Sequence, residues 1–326
     1  GVDLPLALNI SGVRLGPFTF NGNRVWDRFE LDAGGSGAAW NIKRAWYQLG
    51  EYTVSAAGRI ETRRDWPVNL EVKADIPPPY GDEWLLDARL SGSVRDLMVA
   101  ASSRGYLDAE LSGEVEPLDP ALPAQLRLTS DQFRAAQALP ETLVFNDWSV
   151  DARGSLQQGF RTRGKATLPG TTGPVRLTLE GLATTRAAEN IRIELAADKE
   201  NGAGQDTVVA NGNVSWSEGL EASADIRLRG FPWYTLIPGF EPPVVTLRSL
   251  DGTVSWREGN YHAELQAGVE GPQGSAELTT TVDGDAEQTT LTNLAVSTGA
   301  GSLTGNGSVN FSGPLSWQAA LRLKDF

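Results

Sequence analysis

The chain holds one histidine, His262, and no cysteine. Any Ser/His/Asp arrangement or imidazole-and-thiolate metal site would have to be built around that single ring. His262 falls on the polar side of the alternation Tyr261, Ala263, Leu265, where a solvated side chain is expected, and there is no second imidazole or thiolate to join it. No Gly-x-Ser-x-Gly elbow is present to expose a nucleophilic serine. Two carboxylate pairs have a spacing that general acid–base or calcium chemistry could use: Asp283 with Asp285, and Glu114 with Glu116. The first brackets Gly284 in a turn-forming sequence, and the second occupies alternate positions on the wet face of a strand, so both are expected to be structural. The glycine-rich stretches Gly34-Gly35-Ser36-Gly37 and 299–307 lack the Gly-Lys-Ser/Thr ending of a phosphate loop and read as turns. An enzyme is therefore not expected, and neither a cofactor nor a metal is.

Charge narrows the partners. With 28 basic against 41 acidic residues the formal charge is -13, which disfavours nucleic acid, because phosphate binding needs a basic excess. The same balance disfavours attraction to anionic lipid surfaces, so any lipid contact should run through acyl chains. No apolar run approaches the roughly 18 residues of a membrane-spanning helix. The chain reads as a segment of something longer.

The elements that would position a site are strands. A phrase recurs as Gly212-Asn213-Val214-Ser215-Trp216, Gly252-Thr253-Val254-Ser255-Trp256 and Gly307-Ser308-Val309-Asn310-Phe311, each with a glycine, a branched apolar residue and an aromatic two places on. After each comes a turn and then a run in which every second residue is apolar. A shorter phrase, Leu90-Ser91-Gly92-Ser93-Val94, returns as Leu111-Ser112-Gly113-Glu114-Val115. Across residues 66–76 the apolar set is Trp66, Val68, Leu70, Val72, Ala74 and Ile76, with Asn69, Glu71, Lys73 and Asp75 opposite. The pattern returns in Ala222, Ala224, Ile226, Leu228, then in Tyr261, Ala263, Leu265, and in Trp317, Ala319, Leu321, Leu323.

With 36 glycines and 18 prolines punctuating these runs, the expected class is all-β: a meander of hairpins with one dry and one wet face. Roughly 20 strands at about 4.8 Å spacing would stack to about 100 Å, and a sheet of that length must curl. The whole of residues 1–326 is expected to form one continuous elongated unit of irregular repeats, with sub-segment boundaries near 77–83, 117–123 and 231–243. One helix is expected, capped by Ser130 and running through Phe133 and Arg134 to Ala138 before Pro140.

Ten tryptophans could serve as sugar platforms, but Trp66, Trp216, Trp256 and Trp317 sit in phase with the aliphatic side of their runs and are expected to anchor the dry face. Residues 231–240 differ. There Phe231, Trp233, Tyr234, Ile237 and Phe240 ignore the alternation and suggest a lid or plug over part of that face, with an external binding loop as the alternative.

The stretch Leu111-Ser112-Gly113-Glu114-Val115-Glu116-Pro117-Leu118-Asp119-Pro120-Ala121-Leu122-Pro123, with Trp66-Pro67-Val68-Asn69-Leu70 before it and the 307–317 run after it, resembles the TamB family of translocation and assembly module proteins, related to the AsmA-like group. The resemblance implies a β-taco, a U-shaped, mainly antiparallel sheet around an apolar groove. It also implies an inner-membrane-anchored bridge in the periplasm of a Gram-negative bacterium, an outer-membrane partner of the TamA type reached through regions outside this segment, and roles in phospholipid transport and outer-membrane biogenesis. It transfers no catalytic residue.

The function expected is the shielding of phospholipid acyl chains. The groove lining assigned to it is Trp66, Val68, Leu70, Val72, Val214, Trp216, Ile226, Leu228, Val254, Trp256, Tyr261, Leu265, Val309, Phe311, Trp317, Leu321 and Leu323. The alternative is a chaperone or docking scaffold for outer-membrane β-barrel and autotransporter assembly with TamA, in which sheet edges accept a client strand. Periodicity does not separate an open trough from a filled core, since both need one dry face.

Overall fold

A computed structural model of the chain describes residues 4–81, 83–198, 205–312 and 315–324. The described residues form β-strands with two short 3-10 turns, Glu141–Leu143 and Trp233–Leu236. The class is all-β, and the registered ladders are antiparallel, as the alternation requires.

The chain divides into two compact units, Gly1–Ala138 with Asn146–Phe160, and Leu139–Phe145 with Arg161–Phe326. In the first, Leu4–Leu15 pairs with Arg28–Gly37. From there each strand pairs with its successor through Ala39–Leu49, Tyr52–Glu61, Pro67–Asp75, Trp84–Ser93, Leu97–Gly105, Ala109–Val115 and Ala124–Phe133. A small hairpin, Phe18–Phe20 with Asn23–Trp26, stands apart from this ladder. In the second unit the meander runs through Val175–Ala183, Ala187–Asp198, Gln205–Ser215, Glu221–Arg229 and Thr246–Arg257. It continues through Asn260–Gly271, Gly274–Gly284, Gln288–Thr298, Ser302–Asn310 and Ser316–Lys324.

Local chemistry makes the hairpins. Glu258 and Gly259 both have positive φ, 48° and 89°, between the paired residues Arg257 and Asn260. This is the two-residue turn whose twist suits an antiparallel ribbon. The loops near Pro77 and Pro117 are hairpin connections inside the first unit, the latter closed by Glu116 N–H donating to the Pro123 carbonyl at 2.9 Å.

Two expectations about local structure fail. Residues 130–133 belong to the strand Ala124–Phe133, and residues 134–140 after it form no helix. The Ser130 hydroxyl, instead of capping a helix, donates across the ladder to the Asp108 carbonyl at 2.5 Å, and its side chain is buried. It continues the inward alternation of Leu126 and Leu128, so strand pairing outweighs the local capping signal. Trp66 also leaves the strand assigned to it. Its backbone is left-handed, φ 54°, in a turn where its N–H meets the Arg63 carbonyl at 3.1 Å, and the strand begins at Pro67. Proline suits a strand's first position because it has no N–H to donate.

The glycines of the repeated phrases mark close strand approach. A β-carbon at Gly113 would stand 2.1 Å from the Gln125 carbonyl oxygen, and one at Gly212 would stand 2.1 Å from that of Ser223. At both positions the neighbouring backbone occupies the space a side chain would need, so only glycine permits the local approach.

Candidate functional site

Register turns the alternation of single strands into rows across the sheet. In the second unit one row runs Val214, Ala222, Trp256, Tyr261, and the next runs Ala224, Val254, Ala263, Val282, Leu291. A third joins Ala210, Ile226, Gly252 and Leu265, and a fourth joins Leu195, Val208, Leu228, Leu250, Ala267, Leu278, Val296, Leu303 and Leu323. Beyond them Val309 pairs with Trp317, and Gly305 with Leu321. In the first unit Val68 stands between Ile60 and Gly92, Leu70 between Gly58 and Leu90, and Val72 between Ala56 and Ala88.

The rows are not equally covered. Val68 and Leu228 are buried; Leu70, Val72, Val214, Ile226, Val254, Trp256, Tyr261, Leu265 and Val309 are half-buried. Trp317, Leu321 and Leu323 lie on a strand, Ser316–Lys324, that is exposed throughout. Trp216 and Phe311 sit one residue beyond their strands and are largely exposed. Both keep a backbone tie to the neighbouring hairpin, Trp216 N–H to the Arg186 carbonyl at 3.0 Å and Phe311 N–H to that of Glu287 at 2.6 Å. The indole N–H of Trp216 also donates to the Thr185 carbonyl, so its ring lies across a hairpin margin, outside the rows.

Residues 231–240 pack inward at one end and outward at the other. Phe231 is 2% exposed and joins Leu168, Val175, Ala197 and Leu228 in a buried cluster, with Trp233 and Leu236 against it. Tyr234 is half-buried, while Ile237 and Phe240 are exposed. Leu143 and Phe145, which pack on the same cluster, were missed by sequence reasoning. Leu143 ends the 3-10 turn Glu141–Leu143 and Phe145 opens the strand Phe145–Ser155, at a junction with no period to mark it.

A second feature escaped the sequence. Tyr106 packs edge-on against Tyr80, with ring centroids 5.0 Å apart, and against Phe133 at 5.8 Å; Phe133 in turn stacks on Trp148 at 5.5 Å. These rings come from four separate segments of the first unit. Only strand pairing brings them together.

The opposite face is ionic. Arg229 chelates Asp251 with bonds of 2.9 and 2.8 Å to its two carboxylate oxygens, Arg257 reaches Glu221 at 2.8 Å, and Arg176 reaches Asp198 at 2.9 Å. Hydrogen bonding to the partner guanidinium holds the carboxyls of Asp198 and Asp251 below the usual range. Such exposed pairs set register and solubility more than stability. His262 belongs to this face, its Nδ1 2.6 Å from Asp283 Oδ1. Asp283 lies within the strand Gly274–Gly284, and Asp285 makes the turn, accepting from the N–H groups of Glu287 at 2.7 Å and Gln288 at 2.9 Å. Asp283 is thus a strand residue paired with His262, while Asp285 has the turn role expected for it.

Antiparallel ladders with one ionic face and one apolar face of graded exposure define an all-β protein of one-sided sheets. The family model described as the N-terminal domain of TamB matches residues 1–244 and 243–326, and the chain belongs to the TamB family. No curated protein and no solved structure matches it. Membership carries a part in a translocation and assembly module, association with TamA-like proteins in general, and a place among periplasmic bridge proteins. Among the described residues no helix is long and apolar enough to cross a membrane.

Proposed function

We propose that this segment shields phospholipid acyl chains on the apolar rows, within a periplasmic bridge that serves lipid transport and outer-membrane biogenesis. The observation that carries the reading is incomplete burial of registered apolar side chains. Ile226, Val254 and Leu265 are aligned row to row, yet each remains half-buried. A filled sandwich core would bury them against a facing sheet.

Retention and movement follow from one energy. Each methylene taken from water gains about 0.8 kcal/mol, so a chain of about 16 carbons gains on the order of 13 kcal/mol, and escape into water is slow. Displacement along the rows costs little, because carbons leaving one set of Val, Leu and Trp side chains enter the next. The reading assigns no bond-making step to the chain. Direction must come from elsewhere in the module.

Photocrosslinking in cells tests it, with a photoreactive residue at Val254 or Leu265 and, as controls, at Ser255 or Glu264, followed by mass spectrometry of the adducts. Phospholipid adducts confined to the apolar pair are expected. Adducts to protein alone would remove the lipid reading in favour of a docking scaffold for outer-membrane β-proteins.

A further inference from the structure

The 231–240 segment occupies apolar lining that would otherwise be free to take an acyl chain. Phe231 belongs to the buried cluster of Leu168, Val175, Ala197 and Leu228, and Trp233 and Leu236 pack against that cluster, as does Leu250, the strand partner of Leu228. The segment's backbone is tied at separate points: Gly230 N–H donates to the Arg248 carbonyl at 2.7 Å, Thr171 N–H to that of Thr235 at 2.8 Å, and the Thr142 hydroxyl to that of Leu236 at 2.7 Å. Glycines of positive φ, Gly230 at 65° and Gly239 at 74°, turn the chain in and out again. Thr235 is 1% exposed and Phe231 2%. Segments that open readily have few buried contacts and loosely held backbone, and the inner part, residues 231–236, has neither property. The hollow beside it, about 750 Å³, is walled by Asp198, Asp206 and Arg248 as well as Val175 and Leu247. Charged groups in that wall make it a poor continuation of a hydrocarbon path.

From this packing we infer that residues 231–236 are a fixed stopper. They exclude acyl chains from the lining over Leu228 and Leu250 and confine them, in this unit, to the part formed by Ile226, Val254 and Leu265. Phe231 and Trp233 are then the residues that determine which stretch of the rows is used. The inference rests on the lipid reading above and divides the rows it invokes into used and unused parts.

The experiment places the photoreactive residue at Leu250 and, separately, at Leu265 in the full-length protein in cells, each with and without Trp233→Ser. Lipid adducts are expected at Leu265 in both backgrounds. At Leu250 they should be at the level of the Glu264 control with Trp233 present and rise clearly above it with Trp233→Ser. Equal adducts at Leu250 and Leu265 in the unsubstituted background would overturn the stopper while leaving the lipid reading intact. Absence of adducts at both positions would remove the lipid reading, and the stopper with it. Should Trp233→Ser fail to accumulate, the comparison of Leu250 with Leu265 in the unsubstituted protein decides the matter alone.

Discussion

Gly252 faces Leu265 across an antiparallel strand pair, and a β-carbon at residue 252 would stand 2.6 Å from Leu265 Cδ2 and 2.8 Å from the Glu264 carbonyl oxygen. The apolar row is thus continuous because one member has no side chain. At Gly212 the obstruction is the backbone itself, the Ser223 carbonyl oxygen at 2.1 Å. Gly212→Ala should therefore destabilise the protein by about 1–3 kcal/mol, as overpacking does. Gly299 has nothing within 4 Å of its β-carbon position, so Gly299→Ala should be neutral or slightly stabilising, through the unfolded chain. Urea unfolding midpoints of the two variants give the comparison, and equal midpoints would sink the close-approach argument.

Charge placed on the lining separates structural from accessible positions. Leu228 is buried beneath Phe231, whereas Leu265 is half-buried. Leu228→Arg traps an unpaired guanidinium and should abolish cooperative folding. Leu265→Arg can extend its charged end toward water and should stay folded while losing lipid adducts at Val254. Circular dichroism with the crosslinking readout checks both. A folded Leu265→Arg protein with undiminished adducts would count against acyl occupancy of the rows.

Large apolar residues should differ sharply in their effect on stability. Phe231→Ala empties a buried site and should cost about 3–5 kcal/mol. Trp317, at 75% exposed, should change stability by no more than about 0.5 kcal/mol on replacement by alanine. Thermal unfolding of the two variants measures the contrast, which fails if Trp317→Ala proves the more damaging.

The single histidine offers a clean titration. Its hydrogen bond to Asp283 raises the imidazole pKa above 6.5, with the charges of Asp283 and Glu264 acting in the same direction and partial burial opposing them. A group bound more tightly to its proton in the folded state stabilises fully below its unfolded value, and that contribution is lost as pH rises through the folded value. Stability should accordingly fall as pH climbs above 6.5, and His262→Gln should flatten that slope. The imidazole NMR titration must give a midpoint above 6.5 for the pairing to stand.

The amino-acid sequence by itself determined the class of this protein. Period-two alternation in runs such as 67–75 and 221–229 leaves one apolar face per strand, and turn pairs such as Glu258-Gly259 bring each strand back beside the last. Both signals act over a few residues, so they survive without knowledge of the fold. The same reading placed Ile226, Val254, Trp256 and Leu265 on one face, where register puts them. It erred where a residue's neighbours in space override its neighbours in sequence. Ser130 resembles a helix cap but serves a cross-strand bond, and Trp66 keeps the alternation yet turns out of the strand at Pro67. Only the tertiary structure decided which apolar residues are covered. Leu228 is buried in a cluster with Phe231, against which Trp233, Leu236 and, from far earlier in the chain, Leu143 and Phe145 pack, while Leu265 remains half-buried. Burial depends on what stands opposite a side chain, and nothing in the period of a strand records that.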